Sequence, residues 1–352
     1  MTRTTPARPV DVEEVFPGLA AYRGTTTRLH PRRGRPGVGD SHIGGPMLWP
    51  ADEPWPTCGE AHGPVTHGYV PDEIRRAREI GVADPGADGA RAVERHAVSQ
   101  APARAEKPTP TSTPTSTGDE GAVPFVALAQ LFRRDVPDLA AGPDGEDMVQ
   151  LFRCPLPHGP HLERRYHLRW RRADAESADR MLSTPPELPL LPWEAELPEP
   201  CVTHPEQVIT YPWAEDDTLP AALTARIDAW DDAQEAAHGR DAPCYQSDLS
   251  IPPGWRVGGF PSWASTGPMT VDCATCAAPM RLLLTAEGYE TDGGTHNWMP
   301  LEERDLALEG TTRAGFGLSV VVPTRLRFGR DRDLHVFVCP ADGGHPPRWV
   351  LS

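Results

Sequence analysis

The pattern of hydrophobic and polar residues along the chain is mainly that of β-strands. In residues 166–171, YHLRWR, apolar and polar side chains alternate, which places Tyr166, Leu168 and Trp170 on one face of a strand. Short apolar or alternating runs of the same kind occupy residues 125–132, 148–154, 280–286, 318–328 and 334–339. These runs predict a mainly β (α+β) fold with few helices.

Two stretches have helical spacing instead. The longer one covers residues 219–238, where apolar residues recur every three or four positions against a face of Asp and Glu. Its apolar residues are Leu219, Leu223, Ile227 and Trp230, with Thr218 as the predicted N-cap and Gly239 as the stop. A shorter helix is predicted to begin at Pro71 and to end at Gly81. The apolar stripe of the longer helix is typical of core packing rather than of a cofactor site.

An internal repeat divides the chain into two related parts. Residues 43–49, IGGPMLW, and residues 257–263, VGGFPSW, agree at both glycines and at the tryptophan. Each word is followed by a cysteine, Cys58 or Cys273, and then by a strand that runs into a Cys-Pro pair, at Cys154 or Cys339. We therefore expect a duplicated, β-rich, roll-like fold. Its parts are an N-terminal arm (1–40), a first repeat (41–178), a connecting segment with the long helix (179–250) and a second repeat (251–352).

The first repeat contains an insertion that the second repeat lacks. Residues 81–122 are rich in Pro, Thr, Ser and Ala and have almost no large apolar side chain. Such a segment cannot bury enough surface to offset the entropy of ordering it, so we predict a disordered insertion here. Without it, the strand that begins at Pro124 comes into register with the strand that begins at Pro279.

The charge balance narrows the classes of partner. The net charge is −16, from 50 acidic against 34 basic residues, and Lys107 is the single lysine. An acidic protein is not expected to bind nucleic acid or an anionic membrane. The N-terminus lacks the apolar core of a secretory signal, and no stretch has the 18 or so apolar residues of a membrane span, so we expect a cytoplasmic protein.

The cysteines and histidines of the repeat have the composition of metal ligands. In a reducing compartment, cysteines are more often metal ligands or buried residues than disulfides. The second repeat offers a Cys3His set, Cys273, Cys276, Cys339 and His345. The first repeat offers a Cys2His2 set at corresponding places, Cys58, His62 and Cys154 with either His158 or His161. Thiol and imidazole ligands suit tetrahedral zinc, so we predict one or two structural zinc ions per chain.

Other interpretations of these residues stay open from the sequence. A redox role for Cys273 would need a helix after it, whereas Pro279 and a strand follow. A three-coordinate site could hydrolyse a substrate with Glu60 or Asp342 as the base. Cys201 and His204 are either a third metal contact or core residues. The tryptophans near the repeat words could line a site for a small ligand.

Several of these words together resemble the YwqG-like family, a bacterial domain of unknown function. They are SHIGGPMLWPADEPWPTC, PFVALAQLFRRDVPDL, MVQLFRCP, LPEPCVTHPEQV, PGWRVGGFPSW, CATCAAPMRLLL and VFVCPADGGHP. The resemblance implies a mainly β, duplicated, roll-like fold without an established enzymatic activity. It also implies a role as an immunity protein, because some relatives are encoded near secreted toxin systems. This chain departs from the shorter relatives in its metal-ligand knuckles and its insertion.

The sequence thus favours a non-enzymatic cytoplasmic protein that binds a basic protein partner, such as a toxin, and that is stabilised by zinc. It does not determine the oligomeric state. A metal-dependent hydrolase and a small-ligand binding module are the alternatives.

Overall fold

The described residues of the computed structural model fold mainly as β-sheet, which confirms the predicted fold class. These residues are 2–63, 68–83, 122–173, 185–215, 218–239, 242–263, 266–291, 295–304, 320–329 and 332–352. Within them, 14 strands form two six-stranded antiparallel sheets and one two-stranded ribbon. Most of the predicted disordered insertion lies outside the described residues.

Five of the six runs predicted as strands form strands, and nine further strands of the described residues lie outside those runs. The strands are β1 (Gly24–Arg28), β2 (Arg32–Arg33), β3 (His42–Ile43), β4 (Thr57–Cys58), β5 (Val123–Pro124), β6 (Val126–Phe132), β7 (Met148–Arg153), β8 (Tyr166–Arg171), β9 (Cys201–Val202), β10 (Glu206–Thr210), β11 (Arg256–Gly258), β12 (Arg281–Ala286), β13 (Leu334–Val338) and β14 (Arg348–Leu351). The first sheet has the order β2-β9-β3-β6-β7-β8, the second has β10-β1-β11-β12-β13-β14, and β4 pairs with β5.

The two large sheets have the same strand order and the same register, as expected of a duplication. Strands β3, β6, β7 and β8 of the first repeat correspond to β11, β12, β13 and β14 of the second. Ala127 lies opposite Phe152 and Leu282 lies opposite Phe337, and a bulge follows at the same place in each pair. The glycines at the ends of β3 and β11, Gly44 and Gly258, both have a positive φ, 68° and 70°.

A buried polar pair also recurs at matched positions in the two sheets. Gln130 bonds Gln150 across β6 and β7 at 2.9 Å, and Thr285 bonds His335 across β12 and β13 at 3.0 Å. Gln150 and His335 each bond the carbonyl oxygen of the residue before the repeated tryptophan, at 3.0 and 2.7 Å. Each hairpin is therefore fixed to its own repeat word by the same hydrogen-bond pattern.

Each sheet also contains a strand from the other repeat. β1 pairs with β11 of the second repeat, and β9 pairs with β3 of the first. After each of these strands the chain passes a His-Pro pair, His30-Pro31 or His204-Pro205, and its next strand joins the sheet of its own repeat. The duplication thus includes residues 24–33 and 201–210, in the segments assigned above to the arm and the connection.

The main core lies between the two sheets and takes side chains from both repeats. It includes Leu29, Ile43, Leu128, Leu131, Leu151, Trp255, Val257, Leu283, Leu284, Leu326, Leu334 and Val336. Tyr166, Leu168 and Trp170 pack against it on one face of β8, as their alternation predicts. Trp349 of β14 stacks on Tyr166, with ring centroids 5.2 Å apart, so the last strands of both repeats meet.

The helices are few among the described residues. The α-helices are α1 (Val12–Val15), α2 (Pro71–Ala83) and α3 (Ala221–His238), and shorter 3-10 or π turns cover Pro17–Tyr22, Pro143–Gly145, Glu194–Glu196, Tyr245–Ser250, His296–Trp298 and Leu301–Glu303. α3 buries Leu223 and Ile227 in a second cluster with α1. It ends at Gly239, as predicted, but Pro220 occupies its N-cap, so the Thr218 cap was wrong. α2 continues two residues past Gly81.

One predicted strand is absent from the described residues, that in the run 318–328. Residues 320–321 are helical, and residues 322–328 form a turn and irregular backbone with a single bridge at Phe328. Val320, Val322 and Leu326 are nevertheless buried, so the run is apolar because it covers the core. None of the helices in the described part of the chain has the length and apolar character that a membrane crossing requires.

Candidate metal centres

The eight predicted ligands form two clusters of four. Within each cluster, one ligand atom from each residue lies within 4.8 Å of the ligand atoms of the other three. The first cluster is Cys58, His62, Cys154 and His158, and the second is Cys273, Cys276, Cys339 and His345. His161, the alternative ligand of the first cluster, is exposed and is not part of it.

The first cluster is built where the ribbon meets the central hairpin. Cys58 ends β4, and Cys154 follows β7 directly. The Cys58 Sγ lies 3.7 Å from Nε2 of His158, and the Cys154 Sγ lies 3.3 Å from Nε2 of His62. A bridge between His158 and Glu163 turns the chain so that His158 faces inward, where it is 2% exposed. The two cysteines and His158 are buried, and His62 is half-buried.

The second cluster occupies the matching place on the second repeat. A bridge pairs Asp272 with Pro279, as β4 pairs Thr57 with Pro124. The backbone between the paired residues forms a tight knuckle in which the Cys273 N–H donates to the Ala278 carbonyl at 2.9 Å. Cys339 follows β13 directly, as Cys154 follows β7. The matched pairings confirm the register that the sequence gives for the two prolines.

The distances fit a tetrahedral ion. With zinc–sulfur and zinc–nitrogen bonds of about 2.3 and 2.05 Å, a regular tetrahedron has S–S edges of about 3.8 Å and S–N edges of about 3.6 Å. The Sγ atoms of Cys276 and Cys339 are 3.6 Å apart, and the Cys273 Sγ lies 3.5 Å from Nδ1 of His345. The corresponding S–N distances of the first cluster are 3.7 and 3.3 Å. Both donor sets could hold a tetrahedral metal ion.

The electrostatics of the two clusters differ. Burial acts to raise the pKa of the Cys273 thiol, but N–H groups of the Cys276 and Thr275 backbone outweigh it and lower the pKa to about 6. Burial raises the pKa of Cys154 to about 12, with nearby Cys58 adding to the shift. A metal at the first cluster must therefore displace a proton from Cys154, whereas in the second cluster Cys273 already favours the thiolate.

The carboxylates proposed above as catalytic bases lie beside the histidines. Glu60 is 4.0 Å from Nδ1 of His158, the ring nitrogen that does not face the Cys58 sulfur, and it accepts a 2.7 Å bond from Nε of Arg165. Asp342 is 3.6 Å from Nε2 of His345 and accepts the Gly344 N–H at 2.8 Å. Carboxylates in such places orient a ligating imidazole and increase its basicity.

Most tryptophans near the clusters are core residues. Trp49 and Trp263, the repeated tryptophans, are 2% and 3% exposed. Trp49 packs edge to face on Phe152 with centroids 5.5 Å apart, and Trp263 stacks on Phe337 at 6.3 Å. Trp55 is half-buried beside Trp49. These side chains cover the hairpins that carry the ligands, and among them no open tryptophan-lined face is present.

Cys201 and His204 are not brought into a metal cluster among the described residues. The Cys201 side chain is fully buried, and its Sγ lies 3.4 Å from the Pro323 carbonyl oxygen. The His204 backbone N–H donates to the carbonyl of Leu29 where the exchanged strands meet. The backbone N–H donors to Cys273 were not predicted from the sequence. The Cys-x-x-Cys motif could have indicated them, because its tight turn points N–H groups at the first sulfur.

Comparison with known proteins gives no family for the chain. No family model matches it, and no curated protein matches it. The resemblance to the YwqG-like family therefore stays a prediction. The duplicated fold and the two Cys/His clusters are the grounds on which a function can be proposed.

Proposed function

We propose that the protein is a non-catalytic cytoplasmic binding protein whose two repeats are each stabilised by one structural zinc ion. The observation that supports this most is the number of ligands: each cluster supplies four protein ligands, so a tetrahedral ion has no position left for water. Thiolate and imidazole ligands favour zinc over the hard cations. Catalytic zinc keeps an open position, which neither donor set provides.

The position of the clusters explains what the metal would stabilise. In each repeat, two ligands come from the knuckle before the central hairpin and two follow its second strand. A bound ion would join these two turns at the same end of the β6–β7 or β12–β13 hairpin. Structural zinc contributes on the order of 10 kcal/mol to the folding of a small unit. That is comparable with the whole stability of a typical domain, about 5–15 kcal/mol.

The proposed partner is a basic protein, with a cationic toxin as the sharper form of the proposal. The net charge of −16 would attract a cationic surface and accelerate its association. α3 presents exposed Asp228, Asp232 and Glu235 on the side opposite its buried Leu223 and Ile227. This acidic face supports a binding role, as does the predicted YwqG-like resemblance.

Elemental analysis of protein purified without chelator tests the metal part. We expect two zinc ions per chain. Replacing Cys154 or Cys339 with Ser should remove one ion each and lower the melting temperature. Cys244→Ser is the matched control, because Cys244 is half-buried and belongs to neither cluster. A chain with no zinc would refute the proposal.

Affinity capture with charge-neutralised variants tests the binding part. We expect the parent protein to recover a basic partner from its host at low salt. The triple variant Asp228→Asn, Asp232→Asn and Glu235→Gln on α3 should lose the partner. A matched triple variant on α2, Asp72→Asn, Glu73→Gln and Glu79→Gln, should retain it, since these side chains are also exposed. Equal capture by both triples, or no partner at all, would contradict the proposal.

A further inference from the structure

The two clusters differ in the exposure of their cysteines. Cys58 and Cys154 of the first cluster are 4% and 0% exposed. In the second cluster, Cys273 and Cys339 are 3% and 4% exposed, but Cys276 is exposed to solvent. An oxidant from solution can therefore approach one cysteine of the second cluster, and it has no comparable access to the cysteines of the first.

The exposed cysteine also has a second sulfur in reach. The Sγ of Cys276 lies 3.6 Å from the Sγ of Cys339. A disulfide has an S–S bond of about 2.05 Å, so the two atoms must approach by about 1.5 Å. Cys276 lies in the Cys273–Ala278 knuckle and Cys339 at the end of β13, in two turns that an ion would otherwise hold together.

We propose that the second cluster is an oxidation-sensitive metal site, in which peroxide converts Cys276 and Cys339 to a disulfide and releases the ion, while the first cluster keeps its ion. This inference rests on the proposed function, since it requires that both clusters bind metal. Cys276 is the modification site. Its solvent exposure sets it apart from the buried cysteines of the first cluster.

The chemistry balances with peroxide as the oxidant. The Cys276 thiolate attacks one peroxide oxygen, the O–O bond breaks, and a sulfenic acid and hydroxide form. The Cys339 thiolate then attacks the Cys276 sulfur, an S–S bond forms, and the second hydroxide leaves. Two electrons pass from the two sulfurs to the peroxide, and both hydroxides take up protons to become water. The metal leaves as the same divalent ion, because it has lost two thiolate ligands.

The test follows metal release from the full chain. Protein purified with its metal is treated with a small excess of hydrogen peroxide, and released zinc is measured with a chromogenic chelator. We expect one equivalent per chain to leave at least about tenfold faster than the second, in line with the difference in thiol access. Peptide mapping should find Cys276 joined to Cys339, and a thiol reductant with added zinc should restore the original metal content.

A variant that removes the Cys276 thiol but keeps a metal ligand at that position provides a further test. Cys276→His gives the second cluster the Cys2His2 composition of the first, and peroxide should then release neither ion. Cys244→Ser, outside both clusters, should behave as the parent does. Loss of both ions at one rate, or a first disulfide between Cys58 and Cys154, would overturn the inference and leave the proposed function intact. Protein purified with no metal would overturn the proposed function, and the inference with it.

Discussion

The fully buried His335 gives the sharpest prediction of pH-dependent stability. Burial and the nearby Arg256 lower its pKa to about 3, although its bond to the Ser262 carbonyl acts to raise it. Its Nε2 lies 2.7 Å from the Ser262 carbonyl oxygen, and its Nδ1 lies 3.0 Å from the Thr285 hydroxyl. The neutral ring with its proton on Nε2 satisfies both bonds, so the folded state excludes a second proton.

The sign and size of the effect follow from this shift. An unfolded histidine has a pKa of about 6.5, so below that pH the unfolded chain binds a proton that the folded chain does not. The stability that neutral His335 contributes is therefore present above about pH 6.5 and is lost as the pH falls towards 3. At 1.36 kcal/mol per pKa unit, the loss between pH 7 and pH 5 is about 2 kcal/mol.

The first repeat suggests the variant that isolates this contribution. Gln150 occupies the position that corresponds to His335, and it donates to the Leu48 carbonyl at 3.0 Å without titrating. In His335→Gln, the amide can replace both hydrogen bonds of the imidazole. We therefore expect the variant to lose about 2 kcal/mol less stability than the parent between pH 7 and pH 5.

Urea unfolding of parent and variant at pH 7, 6 and 5 measures the difference. Both proteins share every other titrating group, including the metal ligands, so the comparison cancels those contributions. His238→Gln, at the exposed end of α3, is the control and should follow the parent. Equal losses of stability in the parent and in His335→Gln would refute the argument.

Three further substitutions test the packing. Gly44→Ala should lower the free energy of unfolding in urea by at least about 2 kcal/mol more than Gly145→Ala does. Both glycines have a positive φ, but only at Gly44 would a Cβ lie 2.9 Å from the Glu199 carbonyl oxygen. Ile227→Ala should lower the stability by about 2–5 kcal/mol, because the Ile227 side chain is fully buried on the inner face of α3. A smaller loss measured by thermal melting would mean that α3 packs loosely. Glu303→Gln should lower the stability by about 1.5–3 kcal/mol at pH 7, because it removes the negative charge that accepts a bond from buried Arg32 at 2.6 Å while Glu290 stays 3.6 Å from the same guanidinium group, and a stability equal to that of the parent would contradict this. Since Arg32 holds the pKa of Glu303 low despite the burial that acts to raise it, the cost should shrink as acid protonates the parent's carboxyl.

Much of the fold and of the site could be predicted because the relevant signals are local. Alternation along 166–171 places three side chains on the core face, and the two glycine-tryptophan words fix the repeats. The choice between His158 and His161 was beyond the sequence, because both follow Cys154 at spacings that a turn can bridge. The bridge between His158 and Glu163 selects His158 as the ligand. This bridge is a backbone pairing that no residue type in the sequence indicates. The strand predicted at 318–328 was wrong for a different reason. A buried segment is apolar whether or not its backbone is extended.

The exchange of strands between the repeats could not be predicted, and it changes how the repeats depend on each other. β9 has two residues. The sequence feature that links it to β1 is the His-Pro pair that follows each strand, His30-Pro31 and His204-Pro205. Two residues are too few to show a repeat, and the correspondence emerges only from the register with β3 and β11. Because each sheet takes a strand from the other repeat, neither repeat can complete its own sheet. A metal ion lost from one cluster would therefore weaken a hairpin that is separated by a single strand, β3 or β11, from a strand of the other repeat, so the loss of stability is expected to extend beyond that repeat.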